Sequence, residues 1–130
     1  SAHISKVNLV SEKLPFQENF FDFIYSKSFV EHFYHPEKIF EESYRVLKPG
    51  GKLITLTPDW ETIYKMFYED YTHRTPFTIN SLKHIHSING FRKIKVERFR
   101  QLPIIWNEDG SYKFFFYYLL KLQDLYHLHF

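Results

Sequence analysis

Two stretches decide the fold: LPFQENFFDFIYS at residues 14–26 and YRVLKPGGKLI at residues 44–54. Within the first stretch, residues 21–26 form an aromatic, mostly apolar run, which predicts a strand buried on both faces of a sheet. The second stretch leads into residues 52–57, which predict another strand that Pro58 ends. The two strands therefore lie on either side of a polar segment that is long enough for one helix.

That segment predicts a helix over residues 36–47. Pro36 suits the first helical position, because the N–H that it lacks needs no partner there. Apolar residues such as Ile39 and Phe40 recur at helical spacing, and the Pro-Gly-Gly run at residues 49–51 stops the helix. A strand, a helix and a strand in this order predict a right-handed βαβ crossover with parallel strands. The fold class is therefore α/β.

The remaining elements are predicted from shorter signals. Residues 6–10 form a short candidate strand. Residues 60–71 and 78–89 predict two helices, and Thr78 caps the second of them while Gly90 stops it. Residues 91–102 alternate apolar and polar side chains, which predicts a strand. Residues 111–130 predict a long aromatic helix, or a strand followed by a helix.

Composition limits the classes of function. The 130 residues allow one domain, and their formal net charge of +2 gives no reason to expect a nucleic-acid partner. Because the chain has no cysteine, it has no disulfide or thiolate metal site. It also shows no signal-peptide pattern, so we expect a cytoplasmic protein.

The C-terminal tail, residues 114–130, is apolar and aromatic. Lys121, Gln123 and Asp124 interrupt it, so it is too short and too polar to span a bilayer. A contact with the membrane interface stays open. A core helix or a helix between subunits is favoured.

The two quoted stretches, with HPEK at residues 35–38 between them, resemble the middle of a class I S-adenosylmethionine-dependent methyltransferase of the small-molecule type 11 family. The resemblance is strong over residues 10–58. That family opens with a strand and a glycine-rich turn that holds the cofactor. None of the four glycines in this chain forms a G-x-G pair. The resemblance therefore implies a single partial domain over residues 1–130: a Rossmann-like parallel βαβ unit plus C-terminal strands, with the N-terminal cofactor half missing.

The resemblance also implies cofactor-binding positions. Ser11 and Glu12 correspond to the loop that meets adenine, and Ser26 and Lys27 lie beside the reactive sulfonium. The family usually has an aspartate where this chain has Val10, and valine cannot accept a hydrogen bond from the adenine amine. This difference weakens the expected cofactor site.

A second resemblance covers YEDYTHRTPFT at residues 68–78, which related methyltransferases carry over the substrate pocket. It implies that His73 is the catalytic general base, since the pKa of histidine is near neutral. Asp70 and Arg74 are then substrate-binding candidates. Alternatively, His73 and Asp70 only brace the loop.

Asp59 and Trp60 are also predicted to bind substrate. They follow the second strand of the βαβ unit, at the edge of a parallel sheet where ligands bind.

No metal site is expected. His32 and His35 lie three residues apart beside Glu31, but a helix begins at Pro36, so they need not share a face. The pairs His84/His86 and His127/His129 are also poor candidates; residues two apart on a helix diverge.

Two functions remain open. The first is the C-terminal portion of an S-adenosylmethionine-dependent methyltransferase that acts on a small-molecule or lipid-like acceptor and is inactive as this isolated chain. The second is a non-catalytic, methyltransferase-like interaction or assembly module. Because the strand at residues 21–26 lacks its usual neighbour, we also expect a homodimer or larger homo-oligomer.

Overall fold

The computed structural model describes residues 4–100 and the strand residues 126–129. A mixed sheet with strand order β1-β2-β4-β3 forms its centre. In chain order the elements are β1 (Phe21–Lys27), α1 (Glu37–Val46), β2 (Leu47–Pro58), α2 (Trp60–Ile63), α3 (Ile79–Ile88), β3 (Glu97–Arg100) and β4 (Tyr126–His129). Two short 3-10 turns, Val30–His32 and Phe67–Glu69, lie in the connections.

The predicted βαβ unit is confirmed. β1 and β2 pair in parallel, with Ile24 opposite Leu53 and Ser26 opposite Thr55, and α1 crosses between them. β4 pairs antiparallel with both β2 and β3. Among the strands that the structure describes, β1 is consequently at the edge, and its carboxyl end lies beside that of β2.

The helix ends three residues before Pro49, at Val46, and β2 begins at once. Residues 48–51 are looped out, because Phe21 pairs with Leu47 and Phe23 already pairs with Lys52. Gly50 has φ +82° in this loop, and a Cβ on Gly51 would lie 2.9 Å from the Lys48 carbonyl oxygen. The two glycines therefore let the chain turn directly from helix into strand.

The core lies between the sheet and the helices α1 and α3. Val30, Ile39, Phe40, Phe77 and Leu82 are its buried apolar residues. His86 of α3 reaches into this layer, where its ring centroid is 4.4 Å from that of Phe40. The same face of β2 is therefore covered by both helices.

The other face of β1 differs from the prediction of a strand buried on both sides. Phe23 and Tyr25 are 49% and 54% exposed. They alternate with Ile24 and Ser26, which point toward the covered face and are half-buried. The apolar run correctly predicted a strand, but an aromatic sequence cannot report whether a second layer is present to cover it.

Three of the shorter predictions were wrong in type or extent. Residues 6–10 form a coil and a turn, since no strand of the described residues pairs with them and a lone strand is unstable. Residues 60–71 split into α2, a turn and a 3-10 turn. Of residues 91–102, only the part in β3 is described as a strand. The helix at residues 78–89 is confirmed as α3, with Thr78 as its N-cap.

The helix, or strand followed by a helix, that was predicted at residues 111–130 lies mostly outside the described residues. Its described part, β4, is a strand at the end of the chain. Within the residues that the structure describes, no helix combines the length and apolar character that a membrane crossing needs.

Candidate functional site

The candidate site lies where β1 and β2 end, which is the edge of a parallel sheet where ligands bind. Ser26, near the end of β1, has a buried hydroxyl oxygen with no hydrogen-bond partner among the described residues. Ser28 then turns the chain with a left-handed φ of 47°, and its N–H donates to the Leu56 carbonyl oxygen at 2.9 Å. The chain thus leaves β1 toward a 3-10 turn that brings Glu31 to the same edge.

Glu31 is the buried acid of this edge, with a side chain that is 0% exposed. The Thr57 hydroxyl of β2 donates to its Oε2 at 2.9 Å, while Oε1 has no partner among the described residues. Burial raises the pKa of the Glu31 carboxyl above its usual range, although the hydrogen bonds oppose this effect. A buried oxygen without a partner is costly, so it marks a place where a ligand group would be stabilised.

The loop at residues 70–75 folds back onto this acid. The N–H groups of Arg74 and Thr75 donate to the Glu31 backbone oxygen at 2.8 and 3.0 Å. The Thr75 hydroxyl donates to the Phe33 carbonyl oxygen at 2.7 Å. These bonds join two segments about 40 residues apart and hold the loop at the carboxyl ends of the strands.

His73 has a fixed tautomer. Its Nδ1 lies 2.6 Å from the Phe67 carbonyl oxygen. Because a carbonyl oxygen only accepts, Nδ1 carries the proton and Nε2 keeps a lone pair. Nε2 is 3.7 Å from Asp70 Oδ2, and the ring centroid is 4.9 Å from that of His32. His73 therefore has a nitrogen that is free to accept a proton or bind an ion.

His32 is oriented in a similar way. Its Nδ1 lies 2.8 Å from the Thr72 hydroxyl, which donates to Asp70 Oδ1 at 2.5 Å. Hydrogen bonds from Thr72 hold the pKa of the Asp70 carboxyl below its usual range. The hydroxyl's proton is used on Asp70, so it accepts from His32 Nδ1–H. The other ring nitrogen, Nε2, is 3.8 Å from Glu31 Oε1.

The predicted cofactor positions are only partly assembled. Ser26 lies at the edge just described, and Lys27 is exposed next to it. Ser11 and Glu12 lie in an exposed turn, in which Glu12 Oε2 accepts from the Asn8 N–H at 3.0 Å. Lys38 of α1 donates to the Val10 carbonyl oxygen at 3.4 Å, which holds this turn against the helix. Of these residues, Ser26 has the unpaired buried group that a ligand would satisfy.

The predicted substrate residues have structural partners. Asp59 is fully buried; its Oδ1 caps α2 by accepting from the Glu61 N–H, and its Oδ2 pairs with Arg98. Trp60 packs against Phe67, with ring centroids 5.4 Å apart.

Arg74 donates to the His73 carbonyl oxygen at 3.0 Å and also to that of Tyr71. Its guanidinium carbon lies 5.3 Å from the Tyr34 ring centroid. These contacts fix Arg74 beside the edge, and its role toward substrate stays a prediction.

Sequence reasoning missed how Glu31, His32 and His73 come together. One ligand atom from each lies within 4.8 Å of the others. Spacing offered only His35 as a companion for His32, and no metal site was predicted there; in the structure His35 is exposed and its Nδ1 lies 3.1 Å from Glu37 Oε1. The available signal was the Glu-His dipeptide that lies four residues after the end of β1, at the ligand edge.

A separate cleft of about 730 Å³ opens near the start of β2. Basic side chains such as Lys52 and Arg92 line it beside Tyr44 and Phe91. It does not include the carboxyl ends of the strands, so it is distinct from the candidate site.

The chain is similar in sequence to known methyltransferases. Residues 2–55 match the family described as "Methyltransferase domain". Phosphoethanolamine N-methyltransferase 2 of Caenorhabditis elegans is 30% identical over 95 residues, which cover 67% of this chain and 22% of that protein. The ubiquinone/menaquinone biosynthesis C-methyltransferase UbiE of Psychromonas ingrahamii is 38% identical over 73 residues, covering 54% and 29%.

A crystal structure of an S-adenosylmethionine-dependent methyltransferase from Archaeoglobus fulgidus has the same fold, with a TM-score of 0.68. It is 20% identical, and the alignment covers 96% of this chain and 65% of that one. The chain thus belongs to the class I S-adenosylmethionine-dependent methyltransferases, as its sequence predicted. It spans about a quarter of the length of the two curated relatives named above.

S-adenosylmethionine is the cofactor of this family. The residues present fit it in part: the unpaired Ser26 hydroxyl lies at the expected edge, whereas no G-x-G turn occurs in the sequence.

Proposed function

We propose that this chain is the C-terminal portion of a methyltransferase that acts on a small-molecule or lipid-like acceptor. The observation that carries the proposal is the loop at residues 70–75, which hydrogen-bonds to Glu31 and lies over the carboxyl ends of the parallel strands. The relatives named above include enzymes of phosphoethanolamine and quinone methylation, which is consistent with such an acceptor. The cytoplasm is the proposed location, on the strength of the cysteine-free sequence.

When bound, S-adenosylmethionine supplies the methyl group from its sulfonium. The acceptor would lie under the loop at residues 70–75, with Asp59, Trp60, Asp70 and Arg74 around it. In this proposal His73 Nε2 takes the proton from the acceptor, since Nδ1–H is held by the Phe67 carbonyl oxygen. In this proposal the remaining rate enhancement comes from holding the acceptor in position at this edge of the sheet.

The test of this role is the His73→Ala variant in the longest form of the protein that has activity. A general base contributes typically about 100-fold or more, so turnover should fall by that factor with little change in cofactor affinity. His35→Ala is the matched control, because His35 is an exposed histidine near the same edge. Unchanged turnover in a folded His73→Ala protein would leave His73 only a bracing role.

We also propose that this chain alone binds S-adenosylmethionine weakly or not at all and is therefore inactive. Ser11, Glu12, Ser26 and Lys27 would supply contacts, but a glycine-rich turn is what lets backbone approach the ligand closely. Calorimetry on this chain and on one extended at its N-terminus would test this. A low-micromolar dissociation constant for the 130-residue chain would overturn it.

A second candidate function is a methyltransferase-like assembly module that has lost cofactor binding. The observation in its favour is the edge of β1, which no other described strand pairs with, and its half-exposed Phe23 and Tyr25. Such an edge favours pairing with another chain. We therefore propose a homo-oligomer, and light scattering that gave a 16.0 kDa monomer at high concentration would count against it.

A further inference from the structure

Three side chains at the candidate site form a donor set, of which the proposed methyl transfer uses only His73. Glu31 follows β1, His32 is its neighbour, and His73 comes from the loop at residues 70–75. Their exposed side-chain fractions are 0%, 30% and 12%. Among residues 4–100, no other group of three His, Cys, Asp or Glu side chains brings its donor atoms this close.

Each of the three has a donor atom to spare. Glu31 Oε1 is buried and has no hydrogen-bond partner among the described residues. His73 Nε2 keeps its lone pair because Nδ1–H bonds to the Phe67 carbonyl oxygen. His32 Nε2 is likewise free to bind an ion because Nδ1–H bonds to Thr72. Two lone pairs and one carboxylate oxygen therefore share one small space.

The outer contacts are those of a metal site. Histidines that bind metals usually donate their other N–H to a carbonyl or carboxylate, which fixes the tautomer and the orientation of the ring. His73 does so directly to the carbonyl of Phe67, and His32 does so through the Thr72 hydroxyl to Asp70. Glu31 is itself held by the Thr57 hydroxyl at 2.9 Å.

The distances allow one ion with a small movement of the side chains. Donors around a tetrahedral zinc ion with bonds of about 2.1 Å are separated by about 3.4 Å. Here Glu31 Oε1 and His32 Nε2 are 3.8 Å apart, and the three donors lie within 4.8 Å of one another. Rotating the two imidazole rings so that each Nε2 moves by roughly 1 Å would bring the three donors to the separations found around one ion.

We propose that Glu31, His32 and His73 bind a divalent first-row transition-metal ion. Two imidazole nitrogens and one carboxylate oxygen suit zinc, cobalt or iron(II) better than magnesium, which prefers oxygen donors. Three protein ligands leave a coordination position open, as in catalytic rather than structural sites. The ion also gives the buried Glu31 oxygen the partner that it lacks.

Metal binding is measurable without methyl transfer, so this inference does not depend on the proposed function. The two proposals make different use of His73 Nε2, which cannot accept a proton while it binds an ion. If no metal binds, His73 keeps the free nitrogen that the general base needs. If metal binds, His73 Nε2 is not the general base. The acceptor would then lie beside a metal ion at the same edge of the sheet.

The experiment uses the tag-free 130-residue chain after treatment with a chelator and dialysis. Calorimetry with Zn²⁺ should give one site per chain, and Co²⁺ should give the visible absorption of a nitrogen-ligated ion. Changing a residue that only orients a ligand typically costs 10- to 100-fold in affinity, so Glu31→Gln should cost about 100-fold or more. His73→Ala should have a similar effect, and Thr72→Val about 10-fold.

His35→Ala and His84→Ala are the matched controls, because both histidines are exposed and outside the cluster. They should bind Zn²⁺ as the unchanged chain does. Circular dichroism and thermal melting would show which variants fold. If His73→Ala does not fold, His32→Gln is measured in its place. Equal Zn²⁺ affinity in the unchanged chain and a folded His73→Ala or His32→Gln variant would overturn the proposal, as would the absence of binding or a preference for Mg²⁺.

Discussion

The two faces of the sheet differ in burial and in the side chains that they carry. On one face, α1 and α3 cover β2, so that Thr55, Thr57 and His86 are almost completely buried. On the other, Phe23 and Tyr25 of β1 are about half exposed. The covered face carries aliphatic and polar side chains such as Ile24, Leu53 and Thr55, whereas aromatic rings stand on the other face of β1. These rings are exposed because no layer among the described residues packs fully on them.

This contrast also locates function. The covered face orients the candidate site, because Thr57 of β2 holds Glu31 and His86 packs between α1 and the sheet. On the other face the exposed part is at β1, since Leu56 of β2 lies on that face and is only 6% exposed. The β1 part of this face is the surface available to another chain. Substitutions on the covered side of the sheet should therefore cost more stability than substitutions at exposed positions.

Phe40→Ala should be the most damaging change. Phe40 is 1% exposed in the core cluster, and removing such a ring leaves a cavity that costs about 3–5 kcal/mol. Urea denaturation would measure the free energy of unfolding. Phe23→Ala, on the uncovered face, is the control and should cost less than about 1 kcal/mol. If both variants lost equal stability, Phe23 would be covered in solution and the contrast between the faces would fail.

His86 should make stability depend on pH. Burial lowers the pKa of His86 from 6.5 to about 4. Between these two pH values the imidazole is protonated in the unfolded chain but neutral in the folded chain. The free energy of unfolding should therefore fall as the pH is lowered from 6.5 to about 4, by roughly 3 kcal/mol in total. Comparing denaturation at neutral and acid pH in the unchanged chain and in His86→Gln isolates this contribution.

His84→Gln is the matched control, because His84 is exposed on the same helix. It should keep the acid sensitivity that His86→Gln loses. A His86→Gln protein with the same pH profile as the unchanged chain would contradict the assignment.

Arg45→Ala should cost about 1–3 kcal/mol, since charge-assisted hydrogen bonds to partly buried partners are lost. Arg45 bonds to Glu42 at 2.8 Å and to the Phe16 carbonyl oxygen at 2.9 Å, which ties the segment before β1 to α1. Lys48→Ala is the control, since its pair with Asp22 is exposed and worth less than about 1 kcal/mol. Equal losses in thermal or urea denaturation would refute the distinction.

The Glu42–Arg45 contribution should also weaken in acid. The hydrogen bond from Arg45 holds the pKa of Glu42 below its usual 4.5. The stabilisation is present above pH 4.5 and is lost as the pH falls through the lowered pKa.

Thr78→Ala should have the smallest effect, about 1 kcal/mol, because it removes the capping box of α3. The Thr78 hydroxyl accepts from the Ser81 N–H at 3.2 Å, and the Ser81 hydroxyl lies 2.8 Å from the Thr78 nitrogen. Ser87→Ala, at an exposed position of the same helix, should change stability by less than half as much. A larger loss in Ser87→Ala would show that the cap does not set the stability of the covering helix.

The sequence by itself determined the βαβ unit, the helix capped by Thr78 and the family. Each depends on local signals: an apolar run, helical spacing, a Pro-Gly-Gly stop and a capping residue. These signals act within a few residues, so they can be read before the chain folds. The strand expected at residues 6–10 failed for the converse reason, since a strand needs a partner that no local pattern supplies.

Only the tertiary structure decided which face of the sheet is covered and which residues meet at its carboxyl edge. Glu31 and His73 are 42 residues apart in sequence, yet the bonds from Arg74 and Thr75 to the Glu31 carbonyl bring them together. The sequence pointed to His73 and placed Glu31 beside His32, but it gave no reason to bring these residues together and predicted no metal site. Contacts between distant segments depend on packing and backbone hydrogen bonds, which spacing along the chain does not encode.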